Sequence, residues 1–408
     1  MTGAAVAAAS RLVPPPHPSD DDIERAPRRY WLFGSPISHS ASPAFQNCIL
    51  QATWQQDGRE EYPATYALCD TSTVEDPGFL DRVRRDERFG GAGITMPLKV
   101  AVTHQLGPEH ALDELNDVAR AIGSVNTIVV VRNGETRRNI GTNTDFIGVL
   151  HAILRASAVQ QSLSVGFYLG HPSPPRFVDS IYGIPCSAFV IGAGGACRSA
   201  ILALHKLGLS PIYLLNRLAE ETQEVVAHFE GVVDVKPLRT MLQWAQQSNA
   251  RVVGEVGPVI AGVGCIPALP PVTAEEKMVY TLSQSFFAEP FDVALVAPTQ
   301  DTVASATTIL LPSKRIFLDM CYKPRLTPLL REAVQFDWHT IGGVEAMIEQ
   351  GLAQARMWAA SSKPLSSGLR PLLPDVLASA SQEGDDGPIS TIIEANARAL
   401  AVQMSDIP

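Results

Sequence analysis

Along the chain, apolar residues first gather in the run Arg29-Tyr30-Trp31-Leu32-Phe33, closed by Gly34. A short apolar run ending at a glycine predicts a buried strand. Ser42-Pro43 follows. A hydroxyl residue before a proline is favoured at a helix start, and Phe45, Ile49 and Leu50 carry that helix to about Trp54. From Val125 to Val131 β-branched residues dominate, and Asn133-Gly134 is a favoured two-residue turn, so a hairpin returning to Gly141 is expected. The period changes at Thr144-Asp145. Phe146, Val149, Leu150, Ile153 and Leu154 recur at three and four, the face of a helix that leads out of a first domain.

In the second half, residues 157–186, with His171-Pro172-Ser173-Pro174-Pro175 at their centre, read as an irregular insertion. A strand at Ala188-Phe189-Val190-Ile191 then runs into Gly192, a helix spans about Ala196 to Leu207, and a second strand at Pro211 to Leu215 ends at Asn216-Arg217. That is one βαβ unit. Further strands are expected at Val259–Val263 and Ile316–Leu318. Helical periodicity returns from Gly343 through Met347, Leu352 and Trp358, and again, after a Ser/Pro/Gly-rich stretch at 361–390, from Ile389 to Val402. Residues 1–27, with Pro14-Pro15-Pro16 and Asp20-Asp21-Asp22, are too polar and broken to pack and are expected to be a disordered tail. For Met1 to Pro16 a transit peptide is the alternative.

Composition narrows the partners. With 408 residues, 46% hydrophobic and 18% charged, the chain is long enough for two cores. Its net charge of −10, from 32 basic and 42 acidic residues without a basic stripe, argues against nucleic acid. No apolar run reaches the ~18 residues of a membrane span. Six cysteines (Cys48, Cys69, Cys186, Cys197, Cys265 and Cys321) lack metal-ligand spacing. They read as reduced thiols of a cytoplasmic protein with no metal.

The chemistry begins at Gly192-Ala193-Gly194-Gly195. Between a strand and a helix, such glycines permit a tight turn and close backbone approach, and the helix N-terminus offers N–H groups to a pyrophosphate. Cys197 holds the third small position. Asn216 and Arg217 end the next strand, and no acid does. An arginine there suits the 2′-phosphate of NADP, whereas a carboxylate would accept the ribose hydroxyls of NAD. Glu220 and Glu221 follow and would repel a phosphate. NADP is therefore the expected cofactor, with NAD left open.

Four further signatures stand in chain order. They are Gly34-Ser35-Pro36-Ile37-Ser38-His39-Ser40-Ala41-Ser42-Pro43, Thr95-Met96-Pro97-Leu98-Lys99, Ser124-Val125-Asn126-Thr127 and Gly141-Thr142-Asn143-Thr144-Asp145. With the glycine turn and Gln350, they resemble the shikimate/quinate dehydrogenase family from about Tyr30 to Trp358. The resemblance implies an α/β protein with an N-terminal α/β substrate domain plus a Rossmann-type dinucleotide-binding domain. Residues 28–145, completed by 343–408, would form the former and 146–342 the latter. It implies Lys99 as the proton-transferring residue and Asp145 as its orienting, proton-sharing partner, since oxidising a secondary alcohol needs a base while hydride leaves. Ser40 and Ser42 match the serines that hold the substrate carboxylate. Asn126 and Gln350 match the amides that bind ring hydroxyls, and Thr95 and Tyr322 are expected as additional hydroxyl contacts.

Three positions depart from the family pattern. Gly93 stands where asparagine is common, Phe45-Gln46 replaces a histidine region, and Ala261-Gly262-Val263-Gly264-Cys265-Ile266-Pro267 replaces an Ala-Thr-Ser-type segment. The last two resemble the fungal branch, which includes the shikimate dehydrogenase domain of the AROM protein. The expected activity is NAD(P)-dependent interconversion of a ring hydroxyl and ketone on shikimate, quinate or a related cyclic acid. The alternative is a non-catalytic metabolite sensor of the same fold. Oligomeric state is not legible.

Overall fold

The computed structural model describes residues 17–56, 64–133, 136–163, 175–180, 183–292, 305, 307–361, 389 and 391–404. Its first element falls inside the expected disordered tail: Asp20–Arg25 is a helix, α1. The aspartate run that argued for disorder fills the first turn, where the helix dipole favours carboxylates. Ser19 and Asp22 exchange capping bonds. Local capping thus corrects the compositional expectation for residues 20–25, while residues 1–16 lie outside the described residues.

The first sheet contains β1 (Arg29–Gly34), β2 (Thr65–Asp70), β3 (Phe89–Ile94), β4 (Glu114–Leu115), β5 (Thr127–Asn133) and β6 (Thr136–Thr142), in the order β2-β1-β3-β5-β6-β4. β1 runs parallel to β2 and β3, whereas β5 is antiparallel to β3 and β6. Strand β1 is buried on both faces. Trp31 and Phe33 pack with Phe79 and Phe89, while Tyr30 and Leu32 pack with Tyr66 and Trp358. Double burial explains why its sequence is an unbroken apolar run. Among the described residues, α2 (Ser42–Gln56), α3 (Pro77–Leu80), a π-helical turn at Asp81–Arg85, α4 (Leu98–Thr103) and α5 (Asp117–Ile122) accompany this sheet, while α6 (Asp145–Gln160) packs into the core of the second.

Helix α6 extends further than expected. Ser157 donates to the Ile153 carbonyl and Ala158 is buried, so residues 157–160 are helical rather than part of an irregular insertion. A second element also corrects that insertion: β7 (Arg176–Phe177) forms a two-stranded parallel pair with a later strand. The His171-to-Pro174 segment lies outside the described residues.

The second sheet uses β8 (Ser187–Ile191), β9 (Ile212–Leu215), β10 (Val235–Leu238) and β11 (Val259–Gly264). After β12 (Thr308–Ile309), the partner of β7, come β13 (Ile316–Asp319) and β14 (His339–Ile341). The order β10-β9-β8-β11-β13-β14, with all neighbours parallel, is the doubly wound Rossmann arrangement. Its helices are α7 (Gly195–Lys206), α8 (Ala219–Phe229), α9 (Met241–Val252), α10 (Ala274–Ala288) and α11 (Pro328–Gln335).

Two last helices, α12 (Gly343–Ser361) and α13 (Thr391–Met404), return to the first sheet. Trp358 donates from its indole to the Ile128 carbonyl at 3.0 Å. The chain leaves the first domain along α6 and comes back along α12, and the two helices touch. A Cβ at Gly148 would lie 2.6 Å from the Ala346 carbonyl oxygen, so only glycine fits. No helix among the described residues is long and apolar enough to cross a membrane.

Candidate active site

Lys99 and Asp145 are delivered by two helix starts. After β3, Leu98 N–H donates to the Thr95 carbonyl and begins α4, which puts Lys99 in its first turn. Asp145 opens α6, where the N-terminal dipole suits a carboxylate. The Lys99 Nζ donates to Asp145 Oδ2 at 2.5 Å, with the two side chains 16% and 7% exposed. Asn126 Nδ2 donates to Asp145 Oδ1 at 2.9 Å and to Thr144 Oγ1 at 3.0 Å, and reaches Gln350 Oε1 at 3.4 Å. An amine, a carboxylate and two amides therefore form one connected network.

Ser40, Ser42 and Tyr322 occupy the other end. Ser42 is the first residue of α2, and its N–H donates to Ser40 Oγ at 3.2 Å. Tyr322 arrives from the loop after β13. Burial raises its hydroxyl above the ordinary range, and Ser40 and the Ala41 backbone are its hydrogen-bonding neighbours. Lys99, Asp145, Ser40, Ser42, Thr95, Asn126, Tyr322 and Gln350 all line one cavity of about 190 Å³. One end offers hydroxyls beside a helix N-terminus to an anion; the other offers an amine and amides to ring hydroxyls.

Tyr66 and Gln354 also line this cavity. A Cβ at Gly93 would fall 2.4 Å from the Tyr66 hydroxyl, so the phenol fills the space that a larger residue at 93 needs. Gln354 Nε2 donates to Thr127 Oγ1 at 2.9 Å. The helical spacing from Gln350 to Gln354 was the signal available for the second; nothing local marked Tyr66. The Phe45-Gln46 departure serves packing. Gln46 Nε2 donates to the Gly351 carbonyl at 3.0 Å and reaches Gln354 Oε1 at 3.3 Å, while a Cβ at Gly351 would meet the Phe45 ring at 2.7 Å.

The glycine turn lies at the carboxyl end of β8, where ligands bind in doubly wound sheets. Gly192 has φ +112°, a left-handed conformation, and its missing Cβ clears the Cys265 carbonyl. Ala193 is buried, and Gly194 starts α7 without a side-chain cap and with open space around it. The uncapped N–H groups and the open face fit a dinucleotide pyrophosphate. A Cβ at Gly195 would come within 2.5 Å of Ser124 Oγ and 2.7 Å of Lys99 Cβ, so the turn abuts the Lys99 side chain. Cys197 is fully buried in the helix interface, its thiol pushed up to about 12 by burial.

At the end of β9, Asn216 is held internally, donating to the Leu218 carbonyl at 3.1 Å and to Glu221 at 3.0 Å. Arg217 is half-exposed and pairs with Glu276 at 2.5 Å. Glu276 also accepts from the Val272 and Thr273 N–H groups at the start of α10, and these bonds and Arg217 hold its carboxyl below the ordinary range. The carboxylate beside Arg217 is Glu276, while Glu221 accepts from Asn216. Among the described residues no group of three His, Cys, Asp or Glu side chains has the geometry of a metal site.

Comparisons with known proteins agree with this geometry. Residues 32–128 match the model of the shikimate dehydrogenase substrate binding domain. The pentafunctional AROM polypeptide of Schizosaccharomyces japonicus is 32% identical over 339 residues, covering 83% of this chain and 17% of that protein. That of Schizosaccharomyces pombe is 31% identical over 347 residues, covering 84% and 18%. The chain thus spans about a sixth of the length of these curated relatives. Among solved structures, the dehydroquinate dehydratase and shikimate dehydrogenase of S. pombe AroM superposes with a TM-score of 0.53 at 29% identity, over 82% of this chain and 50% of that one. Shikimate dehydrogenase of Mycobacterium tuberculosis shares the fold, with a TM-score of 0.54 at 20% identity over 87% and 98%. Residues 32–128 thus match a shikimate dehydrogenase substrate binding domain, and more than four fifths of the chain is similar to fungal AROM polypeptides and to the solved S. pombe AroM structure.

Proposed function

We propose that this chain is an NADP-dependent oxidoreductase that interconverts a ring hydroxyl and ketone on shikimate or a close relative such as quinate. The observation that carries the reading is the Lys99–Asp145 pair, facing a small polar cavity and abutted by Gly195 of the nucleotide turn. The substrate carboxylate sits at Ser40, Ser42 and Tyr322, and the ring hydroxyls meet Thr95, Asn126 and Gln350. In the oxidation direction Lys99 Nζ takes the hydroxyl proton, and Asp145 orients the amine and shares that proton. Bound NADP supplies the hydride acceptor. The backbone of Gly192, Ala193, Gly194 and Gly195 would hold its pyrophosphate, and Arg217, flanked by Asn216, would meet the 2′-phosphate.

Residues 28–145 with 343–408 act as the substrate and catalytic domain, and 146–342 as the dinucleotide domain. A sensor without turnover has no need of a proton-transferring pair beside a nucleotide turn. The test is a spectrophotometric screen of shikimate and quinate with NADP and NAD, following reduced nicotinamide. Turnover of one alcohol with NADP is expected. Calorimetric binding of the alcohols without any nicotinamide signal would overturn the enzyme reading.

A further inference from the structure

Glu349 directly precedes Gln350 on α12, and its side chain is almost completely buried. A buried carboxylate is costly unless donors surround it. Here the shell is complete. Arg398 of α13 donates to Oε1 at 2.5 Å and to Oε2 at 3.1 Å. Arg155 Nε donates to Oε1 at 2.9 Å, and His151 Nδ1 lies 3.2 Å from Oε2, both from α6. Burial works to raise this carboxyl, but the bonds from His151 and Arg398 outweigh it and hold it well below the usual carboxylate range.

Three helices converge on that one carboxylate, and two of them carry the reacting network. Helix α6 begins at Asp145, and α12 carries Gln350 one residue after Glu349. Gln350 Oε1 accepts from Thr144 Oγ1 at 3.2 Å, immediately beside Asp145. A slip of α12 along α6 therefore changes the spacing of Gln350 and Asp145. Helix α13 has a second tie to α12: Arg356 pairs with Glu394 at 2.7 and 2.6 Å. That second pair does not touch Glu349.

We propose that Arg398 is a positioning residue for the reaction. By closing the shell around Glu349 it fixes α12 against α6, and so sets the Gln350 amide relative to the Asp145–Lys99 pair. The proposal rests on the dehydrogenase reading of the cavity, and its test separates the two.

The experiment compares the full chain with its Arg398→Ala, Arg398→Lys, Arg356→Ala and Glu349→Gln variants. It measures kcat, KM for the ring alcohol, and calorimetric Kd for shikimate and for NADP. Arg398→Ala is expected to raise KM and shikimate Kd about tenfold, with NADP Kd unchanged. Arg398→Lys should recover part of the loss, since a point charge cannot bridge both oxygens. Arg356→Ala, which loosens α13 but spares the shell, should leave shikimate Kd near wild type. If Arg398→Ala does not fold, Glu349→Gln carries the test, because it keeps the shape and removes the charge that Arg398 holds.

Unchanged shikimate Kd in a folded Arg398→Ala or Glu349→Gln chain would overturn the proposal. So would an equal rise in Arg356→Ala, which would reduce Arg398 to an anchor for α13. Absence of turnover in the wild-type chain counts against the dehydrogenase reading instead, and the shikimate Kd series still decides the positioning role.

Discussion

Gly195 and Lys99 come from different domains, and the glycine leaves no room beside the lysine: a methyl group at 195 would lie 2.7 Å from the Lys99 Cβ. The contact brings the nucleotide turn to the amine. Proton and hydride leave neighbouring atoms of one alcohol, so the groups that receive them must stand on the same small volume. Holding reactants in such geometry accounts for a large part of a barrier. Any side chain at 195 wedges the two domains apart at the point where they must meet.

Removing the amine is the most direct test of the pair. Lys99→Met keeps most of the side-chain volume and removes the amine proposed to transfer the proton. General acid–base catalysis contributes typically 10²–10⁴-fold, so kcat is expected to fall by roughly that factor. Calorimetry should still detect the ring acid. A variant that turns over at the wild-type rate excludes Lys99 from the chemistry.

In the proposed function, cofactor choice turns on a competition at Arg217. Its pair with Glu276 at 2.5 Å has to open or be shared when a 2′-phosphate arrives. Arg217→Ser is expected to lower the preference for NADP over NAD by about 10- to 100-fold, the range for losing a charged hydrogen bond. Glu276→Gln keeps the capping geometry and removes the competing charge, so NADP should bind more tightly while NAD is unaffected. Weaker NADP binding in Glu276→Gln would refute the competition.

Gly93 and Tyr66 are coupled by space. The Tyr66 hydroxyl stands 2.4 Å from where a Cβ at 93 would lie, so Gly93→Ala overpacks the cavity wall at a cost of about 1–3 kcal/mol. Tyr66→Phe removes the offending oxygen. The double variant should be more stable than the sum of the single effects in denaturant melts. Strict additivity would mean that the two positions do not share this space.

Asp319 gives a pH signature. It is buried at the end of β13, accepting from Thr327 Oγ1 and from Cys321 N–H. Burial raises its carboxyl from 3.8 to about 6 against those two bonds. Between pH 4 and 6 the unfolded chain therefore holds fewer protons at this group than the folded chain, and its contribution to stability falls as pH rises through that window. Asp319→Asn removes the dependence. The melting temperature of Asp319→Asn minus that of the wild type should become more positive from pH 4 to pH 7. A flat difference would show that the carboxylate is ionised without penalty.

Much of this arrangement was written locally in the chain. The strand into Gly192, the hairpin of β5 and β6 and the helix opening at Asp145 each follow from periodicity and turn chemistry over about ten residues. The resemblance grouped Ser40, Lys99, Asn126 and Gln350, and these lie around one cavity. Partners distant in sequence were not legible. Nothing near Arg217 announces Glu276, 59 residues away, and nothing near Gly93 announces Tyr66 on the far side of β1. Periodicity says which face is buried, not what buries it. Where composition outweighed local detail, the reading differed from the structure, as at the helical end of α6 and the short strand β7 inside the expected insertion. The acidic run at Asp20 is a capped helix start, and β10 carries Pro237, which an edge strand tolerates.

The paired crossing of α6 and α12 has a mechanical consequence. Two helices lie side by side between the sheets, pressed together where Gly148 meets Ala346, and α6 is itself buried in the core of the second sheet. Bulk added at position 148 would therefore be felt at both ends of this seam, at Asp145 on one helix and at Gln350 on the other.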